Sequence, residues 1–111
     1  MANALAEDVK NKISTHQKIL YKRIKRIKSI NDIKIGVLED SIAGIELYYK
    51  DLPTVILKRY AAQEIRQLKG IMGLKNNFDA GRIPEKDANE ELKRRIKALK
   101  TCIPYIEAAM K

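Results

Sequence analysis

The sequence contains one cysteine, one histidine, no tryptophan and three prolines, and the scarcity of cysteine and histidine excludes two kinds of site. With Cys102 as the only cysteine, the chain forms no internal disulfide and assembles no zinc site of the usual Cys and His type. No apolar run approaches the ~20 residues that a membrane span requires, and the amino-terminal stretch lacks the apolar core of a signal peptide. These absences predict a cytoplasmic protein in a reducing compartment, without a membrane span.

The charge of the chain is strongly unbalanced, and the surplus is concentrated near the amino terminus. The 23 Lys and Arg residues outnumber the 14 Asp and Glu residues, which gives a net charge of +9. Residues 1–34 hold nine basic and three acidic side chains, whereas residues 35–57 hold one basic and four acidic side chains. We expect the second segment to neutralise part of the first. The remaining charge points to an anionic partner, because net charge concerns partners and solubility more than fold.

Apolar residues recur at spacings of three and four along most of the chain, and no segment of useful length alternates with a period of two. This periodicity predicts helices and no sheet. A length of 111 residues fits one domain. We therefore predict one all-α domain over residues 1–111, a bundle of about four helices with a long, basic amino-terminal helix.

The first predicted helix runs from about Ala4 to Ile30 and is longer than the second. One of its ends is therefore expected to project from the bundle or to pack on another subunit, which favours a homo-oligomer or a larger protein complex. Acidic residues lie in its first turns and basic residues in its last turns, and both placements suit the helix dipole. Its apolar stripe consists of Leu5, Val9, Ile13, His16, Leu20, Ile24 and Ile27.

The second predicted helix follows a break at residues 29–32 and ends near Tyr49 or Lys50. Asn31 or Asp32 is its expected amino-terminal cap, because short polar side chains accept hydrogen bonds from the free N–H groups of a first turn. Gly44 weakens the helix by about 1 kcal/mol relative to alanine. We read this glycine as a position that allows close approach of a neighbouring element.

Proline and glycine mark the remaining boundaries. Pro53 suits the first turn of the third helix, which ends near Leu74. Residues 76–84 form the predicted main loop, and the only phenylalanine is expected to reach the core from this loop. The fourth helix starts at Pro84, and its apolar stripe passes straight through Pro104. The helix either kinks there or stops near Thr101 and is followed by a short final helix.

The stretch KILYKRIKRIK, residues 18–28, carries six cations within eleven residues. At 100° per residue, Lys18, Lys22 and Lys25 lie opposite the apolar stripe of the first helix, whereas Arg23, Arg26 and Lys28 flank it. Like charges one turn apart repel each other, and a polyanion removes that repulsion and releases counterions when it binds. A second basic cluster lies on the fourth helix. The candidate nucleic-acid-binding residues are Lys18, Lys22, Arg23, Lys25, Arg26 and Lys28, together with Lys93, Arg94, Lys97 and Lys100.

Several other motifs fail on inspection. A helix-turn-helix over residues 62–84 with Gly70 at the turn would place Arg66 where a small residue is expected and Asn76 where an apolar anchor is expected. His16 and Cys102 lie on or beside apolar stripes and are read as packed residues rather than ligands. No nucleophile–base pair and no glycine-rich phosphate loop is visible. The sequence therefore predicts no enzyme, no metal and no cofactor.

The leading hypothesis is a non-catalytic protein that binds the phosphate backbone of DNA or RNA, as a small subunit of a nucleoprotein assembly. Aromatic residues are few, and only Tyr21 is interleaved with the basic residues, which favours phosphate contacts over base stacking. The main alternative is a helical scaffold whose basic surface binds an acidic protein. A helix-turn-helix regulator and a peripheral membrane protein are lesser alternatives.

Overall fold

The computed structural model describes residues 5–111, and this part of the chain is a bundle of four α-helices without a strand. The helices are α1 (Glu7–Lys25), α2 (Ile35–Tyr48), α3 (Val55–Asp79) and α4 (Glu85–Ala109). Two short 3₁₀ turns, Ile30–Asp32 and Tyr49–Asp51, flank α2. The described residues measure 52 × 20 × 18 Å along their principal axes. The predicted all-α bundle of about four helices is confirmed.

Each helix packs on two neighbours, in the cyclic order α1, α2, α3, α4. The largest interface joins α3 and α4, which form an antiparallel hairpin through residues 80–84. The helix α1 packs on α2 and on α4. The backbone N–H of Ile30 donates a hydrogen bond to Asn89 Oδ1 at 2.7 Å, so the segment after α1 is tied to the start of α4. Because this tie joins the end of one helix to the beginning of the other, α1 and α4 run antiparallel.

The core follows the apolar stripes of the sequence, with a shift on α3. The spacing of the apolar residues in α3 predicts that Ile65 and Met72 face the core, yet both are half-buried, whereas Glu64 and Ile71 are completely buried. The buried face of α3 is therefore rotated about the helix axis, by a fraction of a turn, from the face that the spacing predicts. The completely or almost completely buried apolar side chains include Ile13, Leu20, Ile24, Ile30, Ile45, Leu68, Ile71, Leu99, Ile103 and Ile106.

The first helix ends earlier than the sequence analysis predicts. The expected start at Ala4 lies outside the described residues, but the end is at Lys25 rather than near Ile30. The Ser29 side chain accepts a hydrogen bond from the N–H of Asn31, and Asp32 Oδ2 accepts one from the N–H of Ser29, which together form a capping box. This box nucleates the 3₁₀ turn, so neither Asn31 nor Asp32 caps α2, and α2 begins later, at Ile35.

The third helix is longer than predicted at its carboxyl end and begins just after Pro53. Thr54 is the amino-terminal cap of α3, and its Oγ1 accepts a hydrogen bond from the N–H of Leu57 at 3.1 Å. The helix continues to Asp79, so the loop shrinks to residues 80–84. The expectation that Phe78 reaches the core from a loop is wrong, because Phe78 lies half-buried in the last turn of α3.

The fourth helix continues through Pro104 to Ala109 and does not stop near Thr101. Pro104 is exposed, while the adjacent Ile103 is buried. Proline removes one helical hydrogen bond at this position, and the helix continues with Ile103 and Ile106 buried on its inner face. No helix in residues 5–111 is long and apolar enough to cross a membrane.

Candidate nucleic-acid interface

One face of α1 is a row of exposed cations. Lys18, Lys22 and Lys25 of α1, and Arg26, the residue that caps its carboxyl end, are all exposed, and the buried face of the helix lies opposite them. None of these four side chains forms an ion pair with any residue in 5–111. Because no carboxylate of the described chain neutralises the row, its charge is directed to solvent or to a partner.

Arg23 lies on the flank of α1 that faces α2 and has partners within the protein. Its Nη1 lies 2.8 Å from Asp40 Oδ2 and 2.9 Å from Ser41 Oγ. This contact is the partial neutralisation of the basic helix by the acidic one that the charge distribution predicts. The guanidinium group is therefore held in one place by α2, although its remaining nitrogens make no hydrogen bond within the described residues.

Lys28 lies beyond the end of α1, in the connection to the 3₁₀ turn. Its side chain is exposed and makes no ion pair with the part of the chain that the structure describes. Its backbone N–H donates to Asp32 Oδ2 at 2.8 Å, which fixes the backbone of the connection and leaves the ammonium group accessible.

The second cluster is divided between exposed lysines and engaged arginines. Lys93, Lys97 and Lys100 are exposed and lack an ion pair within residues 5–111. Arg94 pairs with Glu91 at 2.6 Å, with 80% of its side chain exposed. Arg95 is half-buried, contacts Glu91 at 3.4 Å and donates to Gln67 on α3. The lysines therefore carry most of the unneutralised charge of α4.

The two clusters lie on adjoining edges of neighbouring helices. Asn89 marks the edge of α4 that faces the α1 segment, and at 100° per residue Lys93 and Lys100 lie only about 40° and 20° from it. Arg23 marks the α2 side of α1, and Lys18 and Lys25 lie about 140° and 160° around the helix from it, toward the opposite flank. The geometry therefore joins the exposed lysines of α1 and α4 into one basic face.

Aromatic side chains contribute little to this face. Tyr21 is 37% exposed, and Lys25 Nζ lies 5.3 Å from its ring centroid. Tyr60 and Tyr105 stack on each other across the α3–α4 interface, with centroids 4.8 Å apart. Within residues 5–111, Tyr21 is therefore the one aromatic side chain positioned among the α1 cations, as the sequence indicates.

A buried polar cluster at the centre of the bundle is not predicted by the sequence analysis. Gln17 of α1 donates from Nε2 to Tyr48 Oη of α2 and, at 3.0 Å, to Glu64 Oε1 of α3. Gln17 and Glu64 are 0% exposed. Burial raises the pKa of the Glu64 carboxyl to about 8, although the hydrogen bond from Gln17 opposes this shift. Glu64 is therefore mostly protonated at neutral pH.

His16 and Cys102 adjoin this cluster and are packed, as predicted. The His16 ring lies edge-on to Tyr48, with centroids 5.6 Å apart, and a Cβ at Gly44 would overlap it, which confirms Gly44 as a point of close approach. Burial lowers the pKa of His16. Cys102 is 5% exposed, and burial, followed by the charge of Glu64, raises the pKa of its thiol to about 11. No group of three His, Cys, Asp or Glu side chains in residues 5–111 is arranged to hold a metal ion.

The fold and the charge distribution define a class: a four-helix bundle with one basic face and a polar cluster at its centre. Comparison of the chain with protein-family models, with curated proteins and with solved structures finds no match.

Proposed function

We propose that the protein binds nucleic acid through the phosphate backbone, without catalysis, as a small subunit of a nucleoprotein assembly. The observation that carries the proposal is the row Lys18, Lys22, Lys25 and Arg26, which is exposed on one face of α1 and has no ion pair within the described residues. The adjoining lysines of α4 widen this row into a face that fits an extended polyanion better than a single small anion.

The composition of the face favours the backbone over the bases. Lysine is a flexible point charge that contacts phosphate from many directions, whereas single-strand binders combine cations with several aromatic platforms. Tyr21 is the one aromatic residue among the α1 cations in the described chain, and the Lys25 ammonium group lies over its ring. Binding is therefore expected to show little preference among sequences.

A fluorescence-anisotropy titration with labelled single-stranded and double-stranded DNA and RNA, across a salt series, tests the proposal. With about five phosphate contacts, the association constant should fall by about 100- to 500-fold between 50 and 200 mM salt. The variant K18E/K22E/K25E should bind more weakly. The slope of log K against log salt concentration should fall by the amount expected for the loss of about three phosphate contacts. Binding that is weak at low salt, or unaffected by the triple substitution, would exclude this face from nucleic-acid binding.

The matched control reverses the same number of charges on another surface. Lys50 of the 3₁₀ turn after α2 and Arg59 and Lys69 of α3 are exposed and make no ion pair within residues 5–111. The variant K50E/R59E/K69E has the same net charge as K18E/K22E/K25E. It should retain most of the affinity, since a local track and not the total charge is proposed to bind. Equal losses in the two variants would show that only net charge matters.

A further inference from the structure

A cleft of about 450 Å³ lies between α1 and α2, beside the basic face. Its walls come from the last turns of α1, from the connection and from the first turns of α2. The floor is apolar and reaches the core, because Leu20, Ile24 and Leu38 line the cleft and are at most 3% exposed. Volume and lining are in the range of sites that hold small organic ligands, which combine an apolar surface with a few polar groups.

Three cations line this cleft, Arg23, Arg26 and Lys34. The only acidic side chain in its lining is Asp32, whose Oδ2 already accepts two backbone hydrogen bonds, at 2.8 and 3.0 Å. Arg23 is held against the wall by Asp40 and Ser41. Since the guanidinium is fixed before a ligand arrives, little entropy is lost when its remaining N–H groups bind one. The cleft is therefore prepared for an anionic group.

The start of α2 adds to this positive environment without being needed for it. Lys34 is its amino-terminal cap residue, no side chain caps the helix, and its first turn contains no acidic residue. No carboxylate of the first turn therefore offsets the dipole of α2. Asn31 and Ser41 also line the cleft and supply hydrogen-bonding groups beside the apolar floor.

We propose that this cleft binds the phosphorylated terminal nucleotide of a nucleic-acid strand, with the phosphate at the three cations and the sugar and base against the apolar floor. This inference rests on the proposed function, because Arg26 belongs both to the basic row of α1 and to the cleft. A terminal phosphate monoester carries a charge of about −1.5 to −2 at pH 7, whereas an internal diester carries a single charge. A cleft lined by three cations, of which only Arg23 has an ion pair within the described residues, therefore favours a strand end over the middle of a strand. A free nucleotide has the same chemistry and is the alternative source of the ligand.

The test compares three single-stranded 12-mers of one sequence, with a 5′-phosphate, a 3′-phosphate or hydroxyl groups at both ends. The wild-type protein should bind one phosphorylated strand at least about 10-fold more tightly than the hydroxyl strand. The substitution Val37→Trp fills the cleft and should abolish this preference while it preserves affinity for the hydroxyl strand. Leu47→Trp places the same side chain on α2 at a position that is 85% exposed and does not line the cleft, and it should change neither affinity.

A second pair of variants avoids any disturbance of packing. Lys34 and Lys28 are both exposed, but only Lys34 lines the cleft. Lys34→Ala should reduce the preference for the phosphorylated strand several-fold, whereas Lys28→Ala should weaken both strands equally. Equal wild-type affinity for all three strands would overturn the inference and leave backbone binding intact.

Failure to bind any strand would instead overturn the proposed function. The cleft is then tested with AMP alone, by titration of isotope-labelled protein and measurement of amide shifts at Gly36, Val37 and Ser41. Shifts in the wild type that are absent in Val37→Trp would assign the cleft to a free nucleotide. No shifts, or the same shifts with adenosine, would overturn the inference for both sources.

Discussion

The buried carboxyl group of Glu64 makes the stability of this protein depend on pH in a calculable way. Burial raises the pKa of Glu64 from its ordinary value of 4.5 to about 8 in the folded state. Below pH 4.5 the group is protonated in both the folded and the unfolded chain, so it has no effect on the pH dependence. Between pH 4.5 and 8 only the unfolded chain loses the proton, and the free energy of unfolding falls by about 1.4 kcal/mol per pH unit. The penalty levels off near 5 kcal/mol above pH 8.

The substitution Glu64→Gln removes this titration and retains an oxygen that accepts the hydrogen bond from Gln17 Nε2. We expect the variant to gain stability relative to the wild type as pH rises, by about 3 to 4 kcal/mol at pH 7. Urea denaturation of both proteins at pH 5, 6, 7, 8 and 9 measures the difference. Subtracting the two stability curves cancels the contribution of His16. The lowered pKa of His16 destabilises the fold as pH falls, whereas the raised pKa of Glu64 does so as pH rises.

Glu39→Gln is the matched control, because Glu39 is exposed on α2 and makes no ion pair within residues 5–111. Its stability curve should run parallel to that of the wild type across the pH range. Parallel curves for the Glu64→Gln variant as well would refute the argument, since they would mean that Glu64 titrates alike in the folded and unfolded chains.

Two further predictions concern the surroundings of the central cluster. Gly44→Ala should destabilise the fold by about 1 to 3 kcal/mol, because the new Cβ displaces the His16 ring. Gly73→Ala, at a position of α3 with open space around it, should instead stabilise the fold by about 1 kcal/mol. Thermal unfolding compares the two variants, and equal effects would contradict the close approach of His16 to Gly44. Cys102 should react with a thiol reagent at pH 8 far more slowly in the native protein than in urea, because burial raises the pKa of its thiol to about 11, and equal rates would show that the thiol is accessible.

The helices and much of the core are predictable from the sequence because spacing alone identifies a buried face. Ile13, Leu20 and Ile24 of α1 repeat at helical intervals, and all three are buried. The helix ends are less predictable, because they depend on local hydrogen bonds. The apolar stripe continues to Ile27 and predicts a longer α1. The capping box that Ser29 forms with Asp32 instead separates α1 from α2.

The central cluster is not predictable in the same way, since none of its members is unusual in its own segment. Gln17 and Glu64 are polar residues within helices, and a polar residue is by default assigned to solvent. Their pairing joins positions 47 residues apart and appears only when α1 and α3 are placed on opposite sides of one core. The ion pair of Arg23 with Asp40 is hidden for the same reason, whereas the exposed lysines are predictable because they lie opposite the apolar stripe.

The early end of α1, which the sequence analysis does not predict, shapes the proposed cleft. A helix that continued to Ile30 would carry the chain straight past the start of α2. Because α1 stops at Lys25, the chain turns through the capping box and returns to α2 at Ile35. This turn brings Arg26 and Lys34, which are eight residues apart in sequence, to the lining of one cleft. The basic row of α1 therefore leads into a cleft of about 450 Å³, which is the arrangement that the proposed binding of a strand end requires.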